Sequence, residues 1–313
     1  MFSEEQNKMT GIRKVKEKIL ELFFYIILIA FCIFLIYLGS LAYNRLYKKS
    51  INTELFQKHF YADIKQLNRI IEAIQKIPQE LALILEFHST NDNEIKILLE
   101  SVLFNNREIF GSAIAFEPFQ YNKDSLYYAP YTYRKGVSII HTNLNDSIYH
   151  YFYKDWYQAP KILKKPTWSE PYYDIGGGKI LMSTYSVPFY KFDGFEEEFN
   201  GVVTVDVSVE KLTEATKRMG KFFNGYVVLI SEHGTILAEP FKNWIYNETI
   251  FTLASEKNLP VLRDIGRDLI NGKSGIKHIE EFEKQNNLIA FYSTVRANKC
   301  GLILFFPESE LYK

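Results

Sequence analysis

From Leu22 to Tyr43 the chain runs LFFYIILIAFCIFLIYLGSLAY, with no charged residue. A helix of this length spans about 33 Å, enough for a hydrocarbon layer of roughly 30 Å. Soluble helices rarely run so far without polar positions. The run is also longer than the apolar part of a cleaved signal peptide, and no small-x-small site follows it. The pattern predicts an uncleaved transmembrane anchor over 22–43. Apolar positions then recur at Leu55, Phe60, Ile64, Leu67, Ile71, Ile74 and Ile77, mostly at steps of three and four. That spacing predicts a long amphipathic helix over 44–89, with Pro78 kinking or interrupting it. A second short helix is predicted at Asn93–Leu103.

Beyond residue 90 the period falls to two. GSAIAFEP predicts a buried strand, and SLYYAPYTYRKG with SIIHTNL a strand pair. WSEPYYD and KILMSTYSVPFY flank the glycine run of Ile175–Gly178, the mark of a hairpin, with Gly176–Gly178 as its flexible tip. GVVTVDVSV predicts the next strand and EKLTEATKRM a helix. The plan recurs in smaller form. GYVVLISEHGTILAEP predicts strand, turn and strand; PVLRDIGRDLING a helix closed by Gly272; GIKHIEEF, LIAFYSTVR and GLILFFP three more strands. The expected fold class is α+β, with two tandem antiparallel-sheet modules at 90–219 and 220–313.

Charge sets the orientation. Lys8, Arg13, Lys14, Lys16 and Lys18 precede the apolar run, against Arg45, Lys48 and Lys49 after it. The excess puts the N-terminal segment 1–21 in the cytoplasm and everything from about residue 50 outside the cell membrane. Lys plus Arg equals Asp plus Glu, 37 each, so no basic face for nucleic acid is indicated. The two cysteines, Cys32 in the apolar run and Cys300 in a strand region, are not placed to bridge.

Catalytic signatures are absent. None of the six histidines stands in a zinc spacing, there is no Gly-x-Ser-x-Gly elbow, and neither NGKSG nor IGGGK precedes a helix as a phosphate loop does. The acidic run Asp193–Phe199 has the texture of a solvated loop. No metal or other cofactor is predicted, and enzymatic activity in this chain is not expected.

Chemistry concentrates instead in YHYFYKDWYQAP, Tyr149–Pro160, where aromatic side chains surround one Lys-Asp pair. With the segment after it, through W-S-E-P-Y and M-S-T-Y-S-V-P, this stretch resembles the central part of double Cache (dCache) sensor domains. These are the extracytoplasmic ligand-binding modules of bacterial chemoreceptors, histidine kinases and related signalling proteins. The resemblance covers about residues 50–313. It implies two PAS-like (Cache) modules, the first membrane-distal and the second membrane-proximal. It also implies a homodimer, and a small-molecule ligand bound in the distal module. In family members that bind free amino acids, the matching positions are Tyr149, Lys154, Trp156, Tyr157 and Asp206. Lys154 departs from that pattern, which has an arginine there. Lysine is a point charge and cannot hold a carboxylate with two parallel bonds. An amino acid, an amine and another small carboxylate therefore all stay open as ligands.

The roles follow from charge and shape. Lys154 would meet a carboxylate and Asp206 an amine, with Tyr149, Trp156 and Tyr157 as ring walls. Tyr172, Tyr173, Asp174 and Tyr185 are further candidates, with Ser183 and Thr184 behind them. Asp206 alternates with Val203, Val205 and Val207, so it shares the opposite strand face with Thr204 and Ser208. That face is a pocket or plain solvent. Rival readings are an anchored hydrolase with a close carboxylate pair, and a ligand-free structural or partner-binding protein. The family normally continues into a second span and a cytoplasmic output domain, neither of which is found here, so the expectation is a receptor fragment or a chain that signals through a partner.

Overall fold

The computed structural model describes residues 2–144, 149–192, 194, 196–239, 248–282 and 285–313. Asp193 and Phe195 of the acidic run, Pro240 at the end of the predicted hairpin, and the side chains of Lys8, Arg13 and Lys14 lie outside the described set. Helix α1 covers Phe2–Phe87. The chain divides into two units, residues 1–56 with 311–313, and residues 57–310.

In the first unit the apolar stretch is exposed throughout, as a segment without protein partners must be. It is the one segment among the described residues long and apolar enough to cross a membrane. The C-terminal residues dock beside it. Asn52 Nδ2 donates to the Leu311 carbonyl at 3.1 Å, and the Arg45 guanidinium lies 4.6 Å from the centre of the Tyr312 ring.

In the second unit, the remainder of α1 runs through Pro78 without the interruption that was one of the two expectations there. The proline removes one backbone hydrogen bond. On both sides of it, however, Ile74, Leu81, Ala82 and Leu85 are buried in a shared core, and that burial holds the helix through the defect. Helix α2, Asp92–Asn105, starts at a capping box in which Asn91 accepts from the Glu94 amide and Glu94 accepts from the Asn91 amide. Its Ile95, Leu99, Val102 and Leu103 join the same core.

The first sheet comprises β1 (Gly111–Phe116), β2 (Pro130–Lys135), β3 (Ser138–Asn143), β4 (Thr167–Trp168), β5 (Tyr172–Tyr173), β6 (Leu181–Phe192) and β7 (Glu197–Ser208). Its order is β3-β2-β1-β7-β6-β4, with β5 also paired to β6, and every pairing is antiparallel. Its two faces bury different material. Val203, Val205 and Val207 meet the helices α1 and α2. The other face is covered by the aromatic stretch, which folds as a one-turn helix at Tyr151–Tyr153 followed by α3, Asp155–Leu163. The sequence pattern did not predict α3, because its single apolar face is two turns long and includes Pro160.

Helix α4, Val209–Lys221, leads into the second sheet. That sheet is formed by β8 (Tyr226–Ile230), β9 (Ile236–Ala238), β10 (Gly275–Phe282), β11 (Gln285–Thr294) and β12 (Gly301–Pro307), in the order β10-β11-β12-β8-β9. Helices α5 (Ile250–Glu256) and α6 (Pro260–Ile270) pack their apolar sides onto it. Gly272, at φ +72°, closes α6: its amide bonds the Leu269 carbonyl and the next amide, Lys273, bonds Asp268.

Candidate ligand-binding site

Register across β1, β7 and β6 aligns Gly111, Asp206 and Thr184 in one row. Asp206 is buried, 3% exposed. The Thr184 hydroxyl donates to its Oδ1 at 2.7 Å. Since that uses the only proton on Thr184, the Tyr172 hydroxyl, 2.8 Å from Thr184 Oγ1, is the donor in the next link. A second relay runs beside the first. Trp156 Nε1 donates to the Tyr149 hydroxyl at 3.3 Å, which donates to Asp174 Oδ1 at 3.2 Å.

The glycine run is more than a hairpin tip. Asp174 accepts the amides of Gly176, Gly177 and Gly178 at 3.1, 2.9 and 2.7 Å, so the loop curls around its carboxylate. A Cβ on Gly176 would sit 2.6 Å from the Tyr149 ring, and one on Gly177 2.4 Å from the Tyr131 ring. The glycines let both rings close over the loop. Tyr131 also crosses Gly111, where a Cβ would meet its hydroxyl at 2.2 Å. That hydroxyl is buried and closes no hydrogen bond of good geometry.

Electrostatics follow burial. Asp206 is pushed up to about 7, chiefly by loss of water. The Thr184 bond and the facing Tyr131 hydroxyl oppose the rise, and the Asp174 charge adds to it. Tyr131, Tyr149 and Tyr172 are all raised, by burial first and then by the two carboxylates. Two acids and three hydroxyls thus enclose one small space. Among the described residues no group of three or more His, Cys, Asp or Glu could hold a metal ion.

That space is a cavity of about 10 Å³, room for one water, lined among others by Tyr131, Tyr149, Trp156, Tyr172, Asp174 and Asp206. Tyr149, Trp156 and Tyr172 separate it from an outer cleft of about 270 Å³ that reaches Lys154, Asp155, Glu170 and Tyr173. Lys154 sets its ammonium 4.7 Å from the centre of the Tyr149 ring, at the inner wall of that cleft.

Seven of the nine candidates therefore converge on the cleft and cavity: Tyr149, Lys154, Trp156, Tyr172, Tyr173, Asp174 and Asp206. Two do not. Tyr157 is fully buried and donates to Glu117 Oε2 at 2.7 Å, in the core beside Phe199. Tyr185 pairs with Val205 on the helix face of the sheet, where its hydroxyl accepts from Gln79 Nε2 at 3.0 Å. Strand alternation puts Tyr185 and Thr184 on opposite faces, a consequence already contained in the run STYS. Sequence reasoning missed Tyr131 and Met182 in the cavity wall and Glu170 in the cleft, while Thr204, placed on the Asp206 face, does line the cavity. The alternation of Tyr131 and Tyr133 in PYTYRK was the one available sign for Tyr131.

Residues 95–214 match the family described as methyl-accepting chemotaxis protein-like, first PDC sensor domain. Comparison with curated proteins found no match. Among solved structures the chain is similar to the extracellular domain assigned to a histidine kinase, mmHK1S-Z3. The identity is 25% over 81% of this chain and 96% of that one, with a TM-score of 0.68. It shares its fold with the ligand-binding domain of Mlp24 with asparagine, at 18% identity, 85% and 97% coverage and a TM-score of 0.56. The ligand-binding domain of the Pseudomonas aeruginosa PAO1 amino acid chemoreceptor PctC, in complex with GABA, gives 16% identity, 79% and 95% coverage and a TM-score of 0.54. Residues 95–214 thus match a chemoreceptor-type sensor domain, and the chain has the double Cache-type fold of the extracellular domains of histidine kinases and chemoreceptors.

Proposed function

We propose that this sensor domain binds a small organic molecule bearing an ammonium group, an amine or an amino acid, between Asp206, Asp174 and the surrounding rings. The observation that carries the reading is the pairing of two buried carboxylates in one cavity with a Tyr131 hydroxyl that closes no hydrogen bond of good geometry. An ammonium brought there gains charge pairing and ring faces, and Tyr131 gains a partner. The asparagine and GABA complexes of Mlp24 and PctC support the ligand class. Lys154 at the cleft wall would receive a carboxylate when the ligand carries one. The cavity as it stands has room for no more than one water, so binding requires Tyr149, Trp156 or Tyr172 to move and join cleft to cavity.

In this reading residues 22–43 anchor the chain, residues 1–21 are cytoplasmic, and the part from about residue 50 lies outside. Residues 90–219 form the membrane-distal module and 220–313 the membrane-proximal one. Ligand-driven closure on the first sheet shifts α1, through which a homodimer passes the change across the membrane. A differential affinity of a few kcal/mol is enough to change the populations of two states.

The test is thermal unfolding of the protein against a panel of amines, amino acids and carboxylates. A ligand at 100 times its Kd adds about 2.7 kcal/mol, a shift of a few degrees. A shift with ammonium ligands that Asp206→Asn removes supports the reading. A response to carboxylates lacking nitrogen, undiminished in Asp206→Asn, sinks it.

A further inference from the structure

A larger cavity, of about 250 Å³, lies away from the first-sheet pocket, where α1 and α4 pass between the two sheets. Its walls are mostly apolar: Ile71 and Ile74 of α1, Val207 at the end of β7, Leu212 of α4, and Leu229 and Leu237 of β8 and β9. These are elements from both sheets, so the cavity exists only where the two halves of the unit meet.

Several polar groups inside are already engaged, while the buried Trp168 Nε1 on the wall has no hydrogen-bond partner. The Ser183 hydroxyl donates to the Ser169 carbonyl at 2.8 Å. Ser231 Oγ accepts the amides of His233 and Thr235, both at 3.1 Å. Asn298 Nδ2 donates to Cys300 Sγ at 2.9 Å. The charged groups on the wall are three acids, Glu108, Glu170 and Glu232, and two bases, Lys211 and Arg218. Lys211 donates to the Arg107 carbonyl, and Glu232 is 3.4 Å from Lys299. Cys300 is buried and its thiol is pushed well up, by burial first and then by Glu170 and Glu232. An anion would meet a net acidic wall, and an apolar molecule would meet side chains that lack partners on one side.

We infer that this cavity is a second small-molecule site, which takes a compact uncharged apolar molecule such as a fused-ring aromatic. Size sets the class: an apolar protein cavity of about 150 Å³ holds benzene, and this one is larger. The site is independent of the ammonium pocket; only Ser169 and Glu170 line both this cavity and the outer cleft of the first sheet.

Cys300 on the cavity wall supplies the readout. The full chain carrying Cys32→Ser, in lipid nanodiscs, is labelled with methyl methanethiosulfonate and followed by mass spectrometry, with indole as the probe. Indole is expected to slow labelling of Cys300 at least fivefold, with a saturable dependence. Ala215→Trp, which fills the cavity, should slow labelling by itself and leave indole without further effect. If that variant labels faster than its parent, its fold has opened, and Leu237→Phe takes its place as the filler. Labelling unaffected by indole, or slowed equally in parent and filled variant, overturns the inference.

Discussion

Thr184 donates its hydroxyl proton to Asp206 across the β6–β7 pair at 2.7 Å, in a site buried from bulk solvent. One hydrogen bond does not replace the lost hydration, and the carboxyl is held at about 7. The folded pKa lies above the unfolded one. Its contribution to stability is therefore complete below about pH 4 and is lost as pH rises through 7. About three units at about 1.4 kcal/mol each make this on the order of 4 kcal/mol. Ligand-free protein should become less stable between pH 5 and 8 in urea melts. Asp206→Asn should flatten that dependence and be at least as stable at pH 8. A wild-type slope that survives the substitution would place the titration elsewhere.

Tyr131→Phe removes a buried hydroxyl that faces Asp206 but closes no hydrogen bond of good geometry. The free protein should gain stability, by about 1 kcal/mol or more, while losing affinity for an ammonium ligand. Calorimetry of binding beside a thermal melt separates the two effects. A loss of stability would mean that the hydroxyl is satisfied in solution by a bound water.

Tyr185 and Asp206 sit on opposite faces of one sheet. Tyr185→Ala cuts a core side chain and should cost about 3–5 kcal/mol, with ligand affinity unchanged in the fraction that folds. Equal losses of affinity in Tyr185→Ala and Asp206→Asn would contradict this division of the sheet.

Lys154 is half-buried, with its ammonium over the Tyr149 ring. Lys154→Ala should weaken ligands that carry both an ammonium and a carboxylate by about tenfold or more, since a charge-assisted bond contributes about 1.5–3 kcal/mol. Simple amines should bind as before or more tightly. An equal effect on both classes would remove Lys154 from carboxylate recognition.

Gly177→Ala would drive a methyl group to within 2.4 Å of the Tyr131 ring. Overpacking of this kind costs about 1–3 kcal/mol. Near-UV circular dichroism should report the displaced tyrosine, and ligand affinity should fall. Gly136→Ala, in a turn with open space around it, tests only the backbone, because its φ is +62°.

Much of this architecture was legible in the chain. The apolar run of 22–43, the three-four spacing of α1 and the alternation in VVTVDVS are local patterns, and each fixes an element by itself. Alternation also separated Asp206 from its flanking valines. It carried no information on whether the Asp206 face was wet, because the cover comes from Tyr149–Leu163, more than forty residues away in sequence. At Pro78 the local rule allowed an interruption, and the helix continues through it, held by a core that the local sequence does not display.

The aromatic stretch joins both cases. YHYFYKDWYQAP is core and pocket wall at once: Tyr151 and Tyr157 face inward to the sheet, while Tyr149 and Trp156 stand between cavity and cleft. Composition alone determined that this segment would seek burial and that charge would be rare within it. Which rings fill space and which border it was decided by tertiary structure. Each side chain's surroundings are set by strands β1, β2, β6 and β7, brought together by hydrogen bonds between residues up to about a hundred positions apart. The sequence encodes the periodicity of an element; only packing fixes what lies against each of its faces.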